Sequence, residues 1–170
     1  MINTPIYGFS YPVAADHTRT WEYWQSLATQ LEAKLSAGLA CFRLDLATKA
    51  LTGVGQDADG TLALNIGGFG KAGAVITVPQ AGLYEFTFLS AFSAPTANAV
   101  GLGDIFVNNA NAAEGVSNMI SGFSGTAFCS TIMQCAAGTT VKAVVVATAS
   151  INLKAAPASM LMGKLLQIRP

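Results

Sequence analysis

The feature that most constrains the fold of this chain is a series of short apolar segments that begins near Cys41 and continues to the last residues. Turns rich in Gly, Pro or Asn separate these segments, and no helical periodicity interrupts them. Short strands in close succession, without intervening helices, predict an antiparallel β-sandwich or jelly roll. Nine segments qualify as candidate strands: 40–46, 61–66, 73–79, 82–93, 103–108, 115–121, 126–135, 139–148 and 159–168.

Two of these segments predict how their strands are buried. Tyr84, Phe86 and Phe88 alternate with smaller or polar residues. Because successive side chains of a strand point to opposite faces, this alternation predicts an aromatic inner face. The segment 141–147 is rich in valine and alanine, which predicts a strand that is buried on both faces.

The chain carries very little charge for a globular protein. Apolar residues make up 52% of its 170 residues and charged residues only 11%, whereas an ordinary soluble domain has roughly 25% charged residues. From Phe69 onward the acidic residues are only Glu85, Asp104 and Glu114. So few charges cannot cover the whole surface of a sandwich, and we expect a subunit interface to remove part of that surface from water.

The balance of charge and hydropathy also excludes two classes of partner. Nine Lys and Arg residues balance nine Asp and Glu residues, so the chain has no basic field for a nucleic acid. Its apolar runs are far shorter than the roughly 20 residues of a membrane-spanning helix.

The first residues lack the basic start and apolar core of a signal peptide, so we expect synthesis in a cytoplasm.

The N-terminal residues have a different pattern and form two further segments. Residues 1–16 combine Pro5 and Pro12 with Tyr7, Phe9 and Tyr11. Proline favours extended backbone, so we expect an extended anchoring arm with its three aromatic residues on one face.

Residues 17–38 predict an amphipathic helix, most clearly over 18–36. Its apolar positions follow spacings of three and four residues, which is the pattern of a helical packing seam. This stripe packs either on the chain's own β domain or in a short helical bundle between subunits. We assign it to anchoring and assembly together with the arm: Trp21, Trp24, Ala28, Leu31 and Leu35. Residues 39–170 form the β domain.

No pattern in the sequence predicts an enzyme. The only histidine, His17, has no neighbouring nucleophile motif. Glu85 and Asp104 could meet across strands, but Glu85 is equally suited to the solvent face of its strand. We therefore expect no catalytic residue and no cofactor.

The sequence also predicts no metal or phosphate site. The segment 57–60, Asp-Ala-Asp-Gly, resembles the start of a calcium loop but lacks its later ligands, so we expect a surface turn. The segment 67–70, Gly-Gly-Phe-Gly, precedes no helix and predicts a plain loop. Cys41, Cys129 and Cys135 have no metal-ligand spacing, so we expect free buried thiols, with Cys129 and Cys135 on one strand face.

The segment 75–88, VITVPQAGLYEFTF, resembles the signature of the C1q/TNF-like jelly rolls. In that family an apolar strand and a Pro lead to a turn that ends in Gly, followed by Tyr-x-Phe-x-Phe. Two later segments, 137–141 and 159–166, resemble the family's late turn and its closing strand. This resemblance implies a homotrimer, and we assign Tyr84, Phe86 and Phe88 to the trimer core.

The first 31 residues resemble the opening of small tail and head-fibre proteins of phages. The shared features are Thr4-Pro5, Tyr7-Gly8, Tyr11-Pro12 and a helix that follows Asp16. The resemblance implies a virion surface protein that its N-terminal arm and helix attach to major capsid or tail proteins.

Together these features favour a non-enzymatic structural protein of a phage particle, a trimeric capsid decoration or head fibre. A tail or receptor-binding protein remains an alternative, as does a free C1q-like module that binds a host glycan or protein.

Overall fold

The computed structural model describes residues 40–168, together with the backbone of Ile2–Asn3 and Ser10–Tyr11. The chain divides into two compact units, with the boundary between residues 39 and 40. All the described elements are strands: β1 (Ile2–Asn3), β2 (Ser10–Tyr11), β3 (Cys41–Leu46), β4 (Lys49–Leu51), β5 (Gln56–Ala58), β6 (Gly60–Ile66), β7 (Gly70–Ala72), β8 (Val75–Thr77), β9 (Gly82–Phe92), β10 (Ala99–Val107), β11 (Ala110–Met119), β12 (Gly125–Cys135), β13 (Thr140–Ala147), β14 (Ile151–Leu153) and β15 (Met160–Ile168).

The second unit consists of two antiparallel sheets. In sheet I, β9 pairs with β12 on one side and with β15 and β14 on the other, and the sheet continues through β3 to β6 and through β14 to β4. Sheet II has the order β11-β10-β13-β8-β7, and β5 also pairs with β13. The predicted jelly-roll sandwich is therefore confirmed.

The predicted strands are correct in kind but incomplete in number. The segment 73–79 contains β8 alone, and β7 precedes it in a short hairpin. Four short strands were not predicted: β4, β5, β7 and β14. Each has only three residues, which is too few for a period of two to stand out from the sequence.

The alternation in β9 places its aromatic residues inside the sandwich, as predicted. Tyr84, Phe86 and Phe88 are each 0% exposed in the single chain. Tyr84 stacks on Phe86 with ring centroids 5.8 Å apart, and Phe69 packs edge-on against Tyr84 at 6.1 Å. Assignment of these three residues to the trimer core is wrong, because side chains with no remaining accessible surface belong to the core of one protomer.

Strand β13 is buried on both faces only in its middle. Ala143, Val144 and Val145 are buried, but Lys142 and Val146 are half-buried. Val144 points to the outer side of this strand but is only 8% exposed, and a Cβ atom at Gly55 would meet the side chains of Val144 and Val146.

The closing strand β15 needs a glycine for packing. A Cβ atom at Gly163 would collide with the rings of Phe42 and Phe86. Gly163 lies in the segment that resembles the closing strand of the C1q/TNF-like family. The resemblance there has a physical reason, since two aromatic rings occupy the space above this backbone.

The segment 57–60 is not a surface turn. Asp57 lies in β5, where it pairs with Val144, and Gly60 begins β6. Both carboxylates of the segment are ion-paired, Asp57 with Lys142 and Asp59 with Lys71, each at 2.9 Å. By contrast, Gly67 and Gly68 do form the predicted loop, with φ angles of 92° and 82°.

In the first unit, β1 and β2 pair antiparallel, with Ile2 opposite Tyr11. The prediction of one extended arm over residues 1–16 does not include this pairing. The aromatic side chains of the arm and the predicted helix of residues 17–38 lie outside the described residues.

Candidate functional site

The outer face of sheet I is the candidate site, and its residues follow from the alternation in β9. Since Tyr84, Phe86 and Phe88 face the core, Glu85, Thr87 and Leu89 face outward. The strand registers extend this outer face into three rows across the sheet. The rows are Phe128–Leu89–Met160–Asp45, Ser130–Thr87–Met162–Arg43 and Ile132–Glu85–Lys164–Cys41.

One edge of this face carries two projecting apolar side chains. Phe128 and Ile132 on β12 are 61% and 58% exposed. They lie four residues apart on the same strand face, with Ser130 between them. We call Phe128 and Ile132 the ridge.

A groove with a volume of about 360 Å³ lies on the same face. It crosses β9, β15, β3 and β6, so it is displaced from the ridge toward the opposite edge of the sheet. Its lining combines apolar and small residues with three charged side chains: Cys41, Phe42, Arg43, Leu64, Glu85, Thr87, Met162, Gly163 and Lys164.

The charges around the groove are already paired. Arg43 contacts Asp45 at 2.8 Å, and Lys164 contacts Glu85 at 2.7 Å. Each pair keeps part of its surface exposed, so it resembles the polar border of an interface rather than a buried charge. Of the two alternatives for Glu85, the outer face of its strand is correct: Glu85 lies in sheet I and does not meet Asp104, which lies in sheet II.

The three cysteines are free thiols, as predicted, but only two are buried. Cys129 and Cys135 share the inner face of β12, where burial raises the pKa of both thiols, that of Cys129 to about 11. Cys41 is half-buried and lines the groove. A thiol with a pKa of about 11 is almost entirely protonated at neutral pH, and is therefore a poor nucleophile.

Within residues 40–168 the structure shows no group of three potential metal-ligating side chains. The described part of the chain also contains no helix long and apolar enough to cross a membrane. The outer face of sheet I carries exposed apolar side chains at its β12 edge and two ion pairs beside the groove.

Sequence patterns missed the ridge because β12 is apolar on both faces. Ala127, Cys129 and Met133 face inward, while Phe128 and Ile132 face outward. The signal that could have identified this strand is the presence of large apolar residues in both phases of its alternation. The predicted anchoring side chains, which all precede residue 40, lie outside the described part of the chain.

No protein-family model matches the chain, and no curated protein matches it in sequence. Its fold does match solved structures. A crystal structure of murine APRIL at pH 5.0 aligns with a TM-score of 0.57 and 14% identity, over 75% of this chain and 99% of that chain. Eiger TNF from S. frugiperda aligns with a TM-score of 0.57 and 12% identity, over 78% of this chain and 96% of that chain.

The β domain is a TNF-like jelly roll. At these identities the similarity extends to the fold alone. The expected C1q/TNF-like architecture is therefore confirmed for residues 40–168.

Proposed function

We propose that this chain is a non-enzymatic structural protein of a phage particle, and that its β domain forms a homotrimer through the outer face of sheet I. The observation that carries the trimer is the presence of two different, complementary features on this face. The ridge projects at one edge, and the groove lies toward the other.

A closed ring of three subunits needs such a pair of features. In a cyclic trimer each subunit presents one surface to the next subunit and a different surface to the previous one. The ridge and the groove meet this requirement, because both lie on one face and they do not overlap. A twofold dimer would instead place identical surfaces against each other.

Burial of the ridge can contribute several kcal/mol to the free energy of association. Complete burial of a large apolar side chain is worth about 1.5–3 kcal/mol, and Phe128 and Ile132 are both more than half exposed. A closed ring contains three such contacts, so the free energy of burial is gained three times. The ion pairs beside the groove favour one register of the subunits over others.

The position on a phage particle rests on the sequence of the first 39 residues. Their aromatic arm and their apolar stripe suit attachment to a capsid or tail protein, and the described β domain has an extensive hydrophobic core of its own. We favour a capsid decoration or head fibre, displayed on the virion surface after synthesis in the host cytoplasm.

The trimer is tested by the mass of the purified chain in solution. Sedimentation equilibrium at micromolar concentration is expected to give three times 17.5 kDa. A stable monomer that does not aggregate would contradict this part of the proposal.

The attachment is tested by deletion of residues 1–36. We expect the truncated protein to keep its thermal transition and its trimer mass but to lose binding to purified particles. Loss of the β-domain transition would show that the segment is part of the domain's own stability. Full occupancy of particles by the truncated protein would show that attachment uses another surface.

Cryo-electron microscopy of the particle separates the remaining alternatives. Threefold density at capsid lattice points is the expected result. Density confined to the tail would favour a tail or receptor-binding protein. Absence from the particle, together with glycan or protein binding by the free chain, would favour an unattached C1q-like module.

A further inference from the structure

Two carboxyl groups face each other on the outer side of sheet II, and neither belongs to the site described above. Asp104 on β10 is the direct partner of Glu114 on β11. A tight turn joins the two strands, with Asn108 and Asn109 at φ angles of 48° and 64°. Like charges directly opposite each other in an antiparallel pair destabilise that pair.

The two carboxyl groups differ strongly in exposure. Asp104 is only 6% exposed, whereas Glu114 is exposed to solvent. Oδ1 of Asp104 is inaccessible and has no hydrogen-bond partner among the described residues. A buried charge without a partner is costly, so this oxygen requires a physical explanation.

No cation compensates Asp104 from the neighbouring strands. On β13 its partner is Val144, and the nearby Lys142 is bound to Asp57 of β5 at 2.9 Å. From sheet I the titratable thiol of Cys129 reaches this strand and donates a hydrogen bond to the Gly103 carbonyl at 3.2 Å. Glu114 is therefore the charged group that acts on Asp104.

A proton suits this pair better than a metal ion does. The described residues provide no third ligand beside the two carboxyl groups. An inaccessible oxygen also leaves no room for a hydrated cation, which keeps several waters or needs six or more oxygen ligands. A protonated carboxyl, in contrast, needs no extra space and removes the like-charge repulsion.

We propose that Asp104, which lies opposite Glu114 and whose Oδ1 is buried without a partner among the described residues, holds a proton in acidic solution, and that loss of this proton as the pH rises loosens the β10–β11 hairpin. The pair thus acts as a pH-sensitive latch on sheet II, separate from the outer face of sheet I. This inference does not depend on the trimer or on the phage particle.

The direction of the effect follows from the protonation equilibrium. Burial, and then the charge of Glu114, raise the pKa of the Asp104 carboxyl above its ordinary value of 3.8. The folded state therefore binds the proton more tightly than the unfolded state does. Its stabilising effect is complete below pH 3.8 and is lost as the pH rises through the higher pKa of the folded state.

The test compares thermal unfolding of the full chain at several pH values between 4 and 8, at constant protein concentration. Asp104→Asn keeps the shape of the side chain but cannot ionise. We expect its midpoint to exceed that of the wild type by at least about 2 °C at pH 8, with the difference shrinking toward pH 4. Asp45→Asn, which changes a paired carboxylate on sheet I, serves as the control and is expected to keep the wild-type pH dependence.

Two further measurements keep the proposal falsifiable if Asp104→Asn folds poorly. Glu114→Gln removes the repulsion from the other side and is expected to raise the midpoint at pH 8 as well. Amide hydrogen exchange of β10 and β11 in the wild type, corrected for its intrinsic pH dependence, is expected to accelerate between pH 5 and pH 8. Equal pH dependence in the wild type and both variants would overturn the proposal, and so would a midpoint raised by millimolar Ca²⁺ in the wild type alone.

Discussion

The outer faces of the two sheets differ in which apolar side chains they expose and in how their few charged side chains are paired. On sheet I, Phe128 and Ile132 project into solvent, and the charged residues beside the groove are paired with one another. On sheet II, Asp104 is buried, and its Oδ1 has no partner among the described residues. Sheet I thus leaves an apolar ridge beside paired charges, while sheet II retains a local electrostatic cost.

The difference shows that exposure, not composition, separates a contact surface from a core. Sheet I has phenylalanines on both of its faces, and only their position relative to sheet II decides their role. Val116 on β11 provides the reference for sheet II, because it is apolar and 52% exposed on the outer face of the other sheet.

The largest effect is expected from two phenylalanines on neighbouring strands of sheet I. Phe86→Ala leaves a cavity among Phe42, Tyr84 and the second sheet, and is expected to cost about 3–5 kcal/mol of unfolding free energy. Phe128→Ala removes an exposed ring and is expected to cost less than about 1 kcal/mol in the isolated protomer. Urea denaturation at a concentration where the chain is monomeric measures both values, and equal costs would show that Phe128 is part of the protomer core.

The next effect concerns assembly. Phe128→Asp places a charge at the ridge and is expected to weaken self-association at least about 100-fold, because a desolvated and unpaired charge costs roughly 3 kcal/mol or more. Val116→Asp introduces the same charge on the outer face of sheet II and is expected to leave the mass of the assembly unchanged. Analytical ultracentrifugation over a concentration series compares the two. Dissociation by Val116→Asp but not by Phe128→Asp would move the interface to sheet II.

A smaller effect is expected at the ion pair beside the groove. Lys164→Ala removes the partner of Glu85, and since Lys164 is 59% exposed, we expect a change of less than about 1 kcal/mol in protomer stability. The change is expected to shrink further in 1 M salt, where surface charges are screened. A large loss that persists at high salt would show that the pair is buried in the assembled protein.

The smallest effect is chemical and leaves the fold unchanged. Cys41 is half-buried, whereas burial raises the pKa of Cys129 to about 11. A thiol reagent at pH 8 is therefore expected to modify Cys41 first, with Cys129 and Cys135 reacting only on unfolding. Peptide mapping after limited reaction identifies the modified residue, and Cys41→Ser is the control that is expected to abolish the fast phase. Early modification of Cys129 would contradict the described burial of β12.

The sequence by itself determined the class of fold and the orientation of its clearest strand. The period of two in Tyr84, Phe86 and Phe88 predicts which side chains share a face, because alternation is a local property of extended backbone. The same rule, applied to the even spacing of Cys129 and Cys135, predicts that these two residues share a face of their strand, and the structure confirms this. Both inferences need only neighbouring residues.

Tertiary structure decided which face the second sheet covers and which residues meet across strands. Strand β12 is apolar in both phases, so alternation could not separate the ridge from the core residues Cys129 and Met133. Asp104 and Glu114 lie ten residues apart, and only the turn and register between β10 and β11 place them opposite each other. Burial and pairing depend on contacts between distant segments, and therefore on how the two sheets pack rather than on local sequence.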